Sequence, residues 1–205
     1  MKRISILVAD DHALLRRGLI TLLKYQKDLS VIGEAANGQE AVRKSAELRP
    51  DVVILDLSMP VMDGVEATKN IHAVCPDTHI LILTTFGTSF DVARAVRSGA
   101  SGALVKDSDD DELLAAVRTV ASGGSVFSSE IKAALSEPLP PELTDRQKEV
   151  LMGIVQGLAS DAISIKLGIS TDAVNQHINA IRTKLGAANR TEAVAIALRK
   201  HLLKI

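Results

Sequence analysis

Five short β-rich runs recur along the first 121 residues, and stretches with helical spacing separate them. The runs are Ile4–Ala9, Ser30–Gly33, Val52–Leu55, His79–Leu83 and Ala103–Val105. Leu15, Leu19, Leu22 and Leu23, and later Leu113, Leu114, Val117 and Val120, carry the helical periodicity between and after them. A strand, a helix and a further strand in repeated order admit few topologies. They predict an α/β fold with an open parallel sheet and helices on both faces. The runs at 52–55 and 79–83 are apolar almost throughout, as strands buried on both faces require.

The pattern stops after Ala121. Ala121-Ser122-Gly123-Gly124-Ser125 is a breaker cluster, Ser129–Leu135 has the makings of a short helix, and Pro138-Leu139-Pro140-Pro141 reads as extended chain. Residues 144–203 carry only helix signals. Thr144 and Gln147 form a capping-box start, followed by Val150, Leu151, Ile154 and Val155. A second helix over about 160–167 leads to Gly168-Ile169-Ser170, a C-terminal glycine and a Ser N-cap. Val174, Ile178, Ile181 and Leu185 line one face of a third helix, and Asn189 with Glu192 opens a fourth. The sequence thus predicts a first domain over 1–121, a linker over 122–142 and a four-helix domain over 143–205.

Charge divides at the same place. Residues 1–137 hold 15 Lys and Arg against 19 Asp and Glu, whereas 138–205 hold 9 against 6. An acidic front and a basic back suit different partners, although a bias of this size is also ordinary surface variation. The single Cys75 excludes a disulfide scaffold and fits a reducing compartment. No apolar run approaches the ~18 residues of a membrane span, so a cytoplasmic protein without membrane contact is expected. Only Tyr25, Phe86, Phe90 and Phe127 are aromatic, which argues against a base-stacking platform for single strands. The five histidines lack metal-ligand spacing, and neither a Walker loop nor a nucleophile elbow is present.

In an open parallel sheet, ligands bind beyond the carboxyl ends of the strands. Strand one ends in Asp10-Asp11, strand three in Asp56, strand four in Thr84-Thr85 and strand five in Lys106. Taken singly, each has a plain alternative: Asp10-Asp11 favour a helix N-terminus, and Lys106 serves as a solvated loop lysine. Together they place three carboxylates, a hydroxyl and an ammonium at one edge. Three crowded carboxylates repel one another unless a cation joins them, and oxygen ligation suits Mg²⁺. Asp56 is then the candidate phosphoryl acceptor, with Lys106 and the Thr84 hydroxyl sharing the transferred charge.

Val8-Ala9-Asp10-Asp11-His12, Ile54-Leu55-Asp56-Leu57-Ser58-Met59-Pro60, Asp63-Gly64, Thr84 and Val105-Lys106 resemble the receiver domain of bacterial response regulators over about residues 3–121. The resemblance implies a flavodoxin-like fold with strand order 2-1-3-4-5. It also implies phosphorylation of Asp56 by a sensor histidine kinase. Mg²⁺ would be held by Asp10, Asp11, Asp56 and the Ser58 backbone carbonyl, with Thr84 and Lys106 sensing the phosphoryl group. One departure stands out: receivers usually carry an aromatic three residues before the lysine, and here that residue is Ala103. The expected consequence is a weakened switch. Phe86 is the nearest substitute, though a packing aromatic is the plainer reading of it.

The helix, glycine turn and helix of 160–185 make a helix-turn-helix pattern. Its outer face shows Asp172, Asn175, Gln176, Asn179, Arg182 and Thr183, which suits either the DNA major groove or a protein partner. Leu143-Thr144-Asp145-Arg146-Gln147-Lys148-Glu149-Val150-Leu151, Leu167-Gly168-Ile169-Ser170, His177, Lys184-Leu185-Gly186 and Asn189-Arg190-Thr191-Glu192 resemble the LuxR-type output domain. With the receiver, the whole chain resembles the NarL/FixJ class of response regulators. That implies a non-enzymatic transcription factor, a homodimer when active, binding double-stranded DNA. The candidate contacts are Asn175, Gln176, His177, Asn179, Arg182, Lys184 and Arg190. Departures cluster here too: Asn175 and Asp161 stand where the class usually has lysine, so a receiver whose helices bind protein is the alternative. A haloacid-dehalogenase-type phosphatase also pairs an aspartyl nucleophile with Mg²⁺. It needs a second carboxylate two residues on, where this chain has Ser58.

Overall fold

A computed structural model describes residues 3–84, 89–136, 143–199 and 202–203. Contacts divide the chain into two compact units, Met1–Glu137 and Pro138–Ile205. In the first, β1 (Ile4–Ala9), α1 (Ala13–Lys24), β2 (Leu29–Ala35), α2 (Gly38–Leu48), β3 (Val52–Leu55), α3 (Gly64–Val74), β4 (His79–Thr84), α4 (Ser89–Arg97), β5 (Gly102–Val105), α5 (Asp110–Ala121) and α6 (Ser129–Ser136) follow in order. The five strands form one parallel sheet in the order β2-β1-β3-β4-β5, as expected.

Every residue of β3 is buried, and the sheet separates two apolar layers. Leu7, Val53, Leu55, Ile80 and Ile82 face α2, α3 and α4 with Ala41, Ala67 and Ile71. Ile6, Val8, Ile54, Leu81 and Leu83 face α1 and α5 with Leu19, Leu23, Leu114 and Val117. Each such side chain fully withdrawn from water stabilises the fold by about 1.5–3 kcal/mol. Alternate residues of one strand thus serve opposite layers, which fixes the register. Fixing the register fixes which side chains stand at the carboxyl edge.

Residues 122–136, expected to lie within the linker, pack on the first unit instead. Val126 pairs with Gly102 in a parallel bridge, and Phe127 and Ile131 pack on the layer that holds Val92 and Ala103. Thr85 and Phe86, and the prolines of 138–141, lie outside the described residues.

The second unit holds α7 (Asp145–Val155), α8 (Ser160–Leu167), α9 (Thr171–Leu185) and α10 (Arg190–Arg199). The capping box forms: the Gln147 N–H donates to Thr144 Oγ1, and the Thr144 N–H donates to Gln147 Oε1. Gly168 closes α8 at φ +64°, and the Ser170 hydroxyl then caps α9 by accepting from the Ala173 N–H. Val150, Leu151, Ile163, Val174 and Ile181 form the core, with Ile178 and Leu185 packed at its margin.

Candidate functional site

Asp10 follows β1 and Asp56 follows β3, its neighbour in the sheet, so the parallel register sets the two side by side. The Asp56 N–H donates to the Ala9 carbonyl at 2.9 Å, and the Asp10 N–H to the Ala35 carbonyl at 3.1 Å. Lys106, following β5, reaches back across β4. Its Nζ lies 2.7 Å from Asp10 Oδ2 and 2.9 Å from Asp56 Oδ2, with all three side chains at least 96% buried. Thr84, also buried, ends β4, and its carbonyl accepts from the Lys106 N–H at 3.0 Å. The structure therefore gathers Asp10, Asp56 and Lys106 into one bonded group, with Thr84 at its side.

Asp11 stands at the solvent rim. One donor atom each of Asp10, Asp11, His12 and Asp56 lies within 4.8 Å of the others, an acidic pocket that can hold a metal ion. His12 is exposed and sets Nδ1 2.9 Å from Asp11 Oδ1, and its N–H donates to Asp10 Oδ1. Asp56 Oδ1 is buried and has no hydrogen-bond partner. A buried carboxylate oxygen in that state is costly. It fits the residues to a hard cation, because oxygen donors are what such an ion takes.

Burial pushes the Asp56 carboxyl above the usual carboxylate range. Lys106 opposes this by hydrogen bond and charge, Asp10 adds to it, and the Ser58 backbone N–H opposes it again. Burial also works against the Lys106 charge. Its hydrogen bonds to Asp10 and Asp56 outweigh that, and the ammonium ends above its ordinary value. One lysine thus serves two carboxylates, leaving the pocket net negative.

The loop after β3 is shaped by close backbone approach. A Cβ on Gly64 would lie 2.2 Å from the Asp56 carbonyl oxygen, so only glycine lets α3 begin there. Val61 sits at φ +70° within a three-residue turn that the Met62 N–H closes on the Pro60 carbonyl at 2.8 Å. A β-branched residue is strained there, and its side chain is exposed. Val61→Gly should therefore stabilise the fold by about 1 kcal/mol. A thermal melt checks this, and an unchanged or lowered midpoint would refute the strain.

Sequence reasoning missed Arg16. Its guanidinium donates to the Asp10 carbonyl at 2.7 Å and to Glu34 at 2.8 Å, pinning the loop after β1. A basic residue on the second turn of α1 was the only available signal.

In the second unit, Asn175, Gln176 and Asn179 are exposed on α9 and His177 is half-buried beside them. Three of the candidate cations bond within the unit. Lys184 Nζ donates to Gln147 Oε1 at 3.0 Å, Arg190 to the Leu158 carbonyl at 3.0 Å and Arg182 to the Ala188 carbonyl at 2.5 Å. Asn175 Oδ1 accepts from the Ser160 hydroxyl at 3.0 Å. That bond takes one of the two lone pairs of the oxygen that a bidentate adenine contact would draw on.

Comparison with known proteins agrees with both halves. Residues 6–118 match the response regulator receiver domain, and residues 141–197 match the bacterial regulatory proteins of the luxR family. The chain is 39% identical to the transcriptional regulatory protein LnrK of Bacillus subtilis, over 96% of this chain and 97% of that one. It is also 39% identical to the oxygen regulatory protein NreC of Staphylococcus epidermidis, over 98% and 99%. The crystal structure of the response regulator ChrA, of a heme-sensing two-component system, is 34% identical with a TM-score of 0.56, covering 98% of this chain and all of that one. Among the described residues no helix is long and apolar enough to cross a membrane. A receiver sheet with its acidic pocket, followed by a LuxR-type helix-turn-helix, makes this chain a member of the response regulator family, of the transcriptional, DNA-binding type.

Proposed function

We propose that Asp56 accepts a phosphoryl group from a sensor histidine kinase in the cytoplasm, and that this modification controls DNA binding by a homodimer. The observation that carries the reading is the Asp10–Lys106–Asp56 group, with one Asp56 oxygen left unpartnered at the open edge of the sheet. One carboxylate oxygen of Asp56 attacks phosphorus, and the other stays with the metal site. A P–O bond forms, the bond between phosphorus and the donor's imidazole nitrogen breaks, and the electron pair leaves with that nitrogen. Asp10, Asp11, Asp56 and the Ser58 carbonyl would hold Mg²⁺, which supplies positive charge to the phosphoryl oxygens when bound. Lys106 is already poised to exchange its carboxylate partner for a phosphoryl oxygen, and the Thr84 hydroxyl donates to another. In this reading the receiver domain takes in the docked segment 122–136, and the helix-turn-helix domain lies in the second unit, from 138 on. The chain modifies itself and catalyses no reaction on other substrates.

Asn175, Gln176, His177 and Asn179 are the base-facing candidates in this reading, and Arg182, Lys184 and Arg190 the phosphate-facing ones. The bonds of the three cations within the unit mean that each must leave a partner to reach a phosphate. That lowers the sequence-independent part of the affinity. Ser160 holds Asn175 through its oxygen, and the amide NH₂ can donate to acceptor-bearing edges such as adenine N7, guanine O6 or thymine O4. Incubation of the full chain with acetyl phosphate tests the acceptor. Intact mass should rise by one phosphoryl group only when Mg²⁺ is present, and labelling without it would contradict the site.

A further inference from the structure

We propose that Phe127, from the segment between α5 and α6, is the ring that reads the state of Asp56 in place of the aromatic that Ala103 lacks. The inference rests on Asp56 being the phosphoacceptor. Thr84, Val92, Ala103, Phe127 and Ile131 line one cleft of about 470 Å³ at the β4–β5 edge. Ala103 is a buried small residue, and Phe127 packs half-buried against the layer that includes it. A ring thus reaches this face from a neighbouring segment instead of from β5 itself. Its position is fixed by backbone bonds: the Ala103 N–H donates to the Val126 carbonyl at 2.8 Å, and the Val126 N–H to the Ser101 carbonyl at 3.3 Å.

Leu55 of β3 pairs with Ile82 of β4, so Thr84 stands within one residue of the level of Asp56 on the adjacent strand. A phosphoryl group on Asp56 draws the Thr84 hydroxyl toward it through a charge-assisted hydrogen bond. The space Thr84 leaves opens on the cleft, and an apolar wall with an unfilled gap is unfavourable. Phe127 can turn into that gap, because it already borders the cleft. Ser128 follows directly and accepts from the Ile131 N–H at 3.3 Å at the start of α6. The far end of α6 is tied to α4, where Arg97 donates to the Leu135 carbonyl at 2.7 Å. Movement of the ring therefore changes how α6 sits on α4, and α6 leads into the chain toward the second unit.

The chain has no tryptophan, so Phe127→Trp introduces a single indole, which can be excited apart from Tyr25. In the full chain treated with acetyl phosphate and Mg²⁺, the emission should shift to the blue and acrylamide quenching should fall at least two-fold. Hydrogen exchange of residues 126–136 supplies a second readout in the unsubstituted chain, and phosphorylation should alter it several-fold. Phe127→Ala should remove that exchange response while taking up phosphoryl groups to the same extent, and Phe127→Tyr should restore it. Intact mass separates the outcomes. Phosphorylated protein with unchanged emission and unchanged exchange, or an exchange response that survives Phe127→Ala, overturns the role of Phe127. Failure of any phosphoryl group to attach overturns the Asp56 reading and this inference with it.

Discussion

Asp56→Asn should take up no phosphoryl group from acetyl phosphate and Mg²⁺, and its apo fold should melt a few degrees higher than the parent at pH 7. The first effect follows because an amide oxygen carries no charge to attack phosphorus. The second follows from electrostatics: the parent buries two carboxylates against one ammonium, and the variant keeps the Lys106–Asp10 pair alone. Because burial raises the Asp56 pKa in the fold, the folded chain holds that proton more firmly than the unfolded chain. Ionised Asp56 therefore opposes folding increasingly as pH rises from the ordinary carboxylate range through the raised value. The gain in the variant should vanish below about pH 3, where both states are protonated. Mg²⁺ should raise the parent's midpoint and leave that of the variant nearly unmoved. Equal labelling of the variant, or a lower midpoint at pH 7, would refute the assignment.

Lys106→Met should cost about 3 kcal/mol of stability at pH 7 in the absence of divalent ions. Methionine keeps the length and apolar stem of the side chain but leaves Asp10 and Asp56 as adjacent buried carboxylates without a counter-charge. The expected loss is at the low end for a broken buried pair, because the Asp11 side of the pocket is open to water. Two conditions should recover much of it: acidification, which neutralises the carboxylates, and millimolar Mg²⁺, which replaces the missing charge. Urea unfolding with and without Mg²⁺ measures this. A loss under ~1 kcal/mol, or one that Mg²⁺ leaves unchanged, would show that Lys106 does not balance these carboxylates.

The strand ends were readable because β1, β3 and β4 are buried parallel strands, whose apolar runs stop where the polar residues begin. Topology alone then brings Asp10, Asp56, Thr84 and Lys106 to one edge. β2 was read short, as Ser30–Gly33 against Leu29–Ala35, because it is an edge strand whose middle is partly exposed. The docked segment 122–136 was not readable, because glycine and serine around 122–125 carry a breaker signal whatever packs after them. Phe127 docks on a face left open by a small residue 24 positions earlier, and neither position reveals this by itself. The bonding of Lys184 and Arg190 within the unit was equally hidden, since a basic residue on a helix surface looks the same whether it meets a phosphate or a carbonyl.

The claim that phosphorylation of Asp56 serves DNA recognition by α9 is tested most directly by selecting binding sites from random duplexes. The full phosphorylated chain should be used at low salt, with Asp56→Asn carried in parallel. The account predicts an enriched motif of two related half-sites for the phosphorylated protein, as a symmetric dimer requires. It predicts weaker enrichment for Asp56→Asn. No enriched motif from phosphorylated protein would contradict it and would assign the exposed amide face of α9 to a protein partner instead.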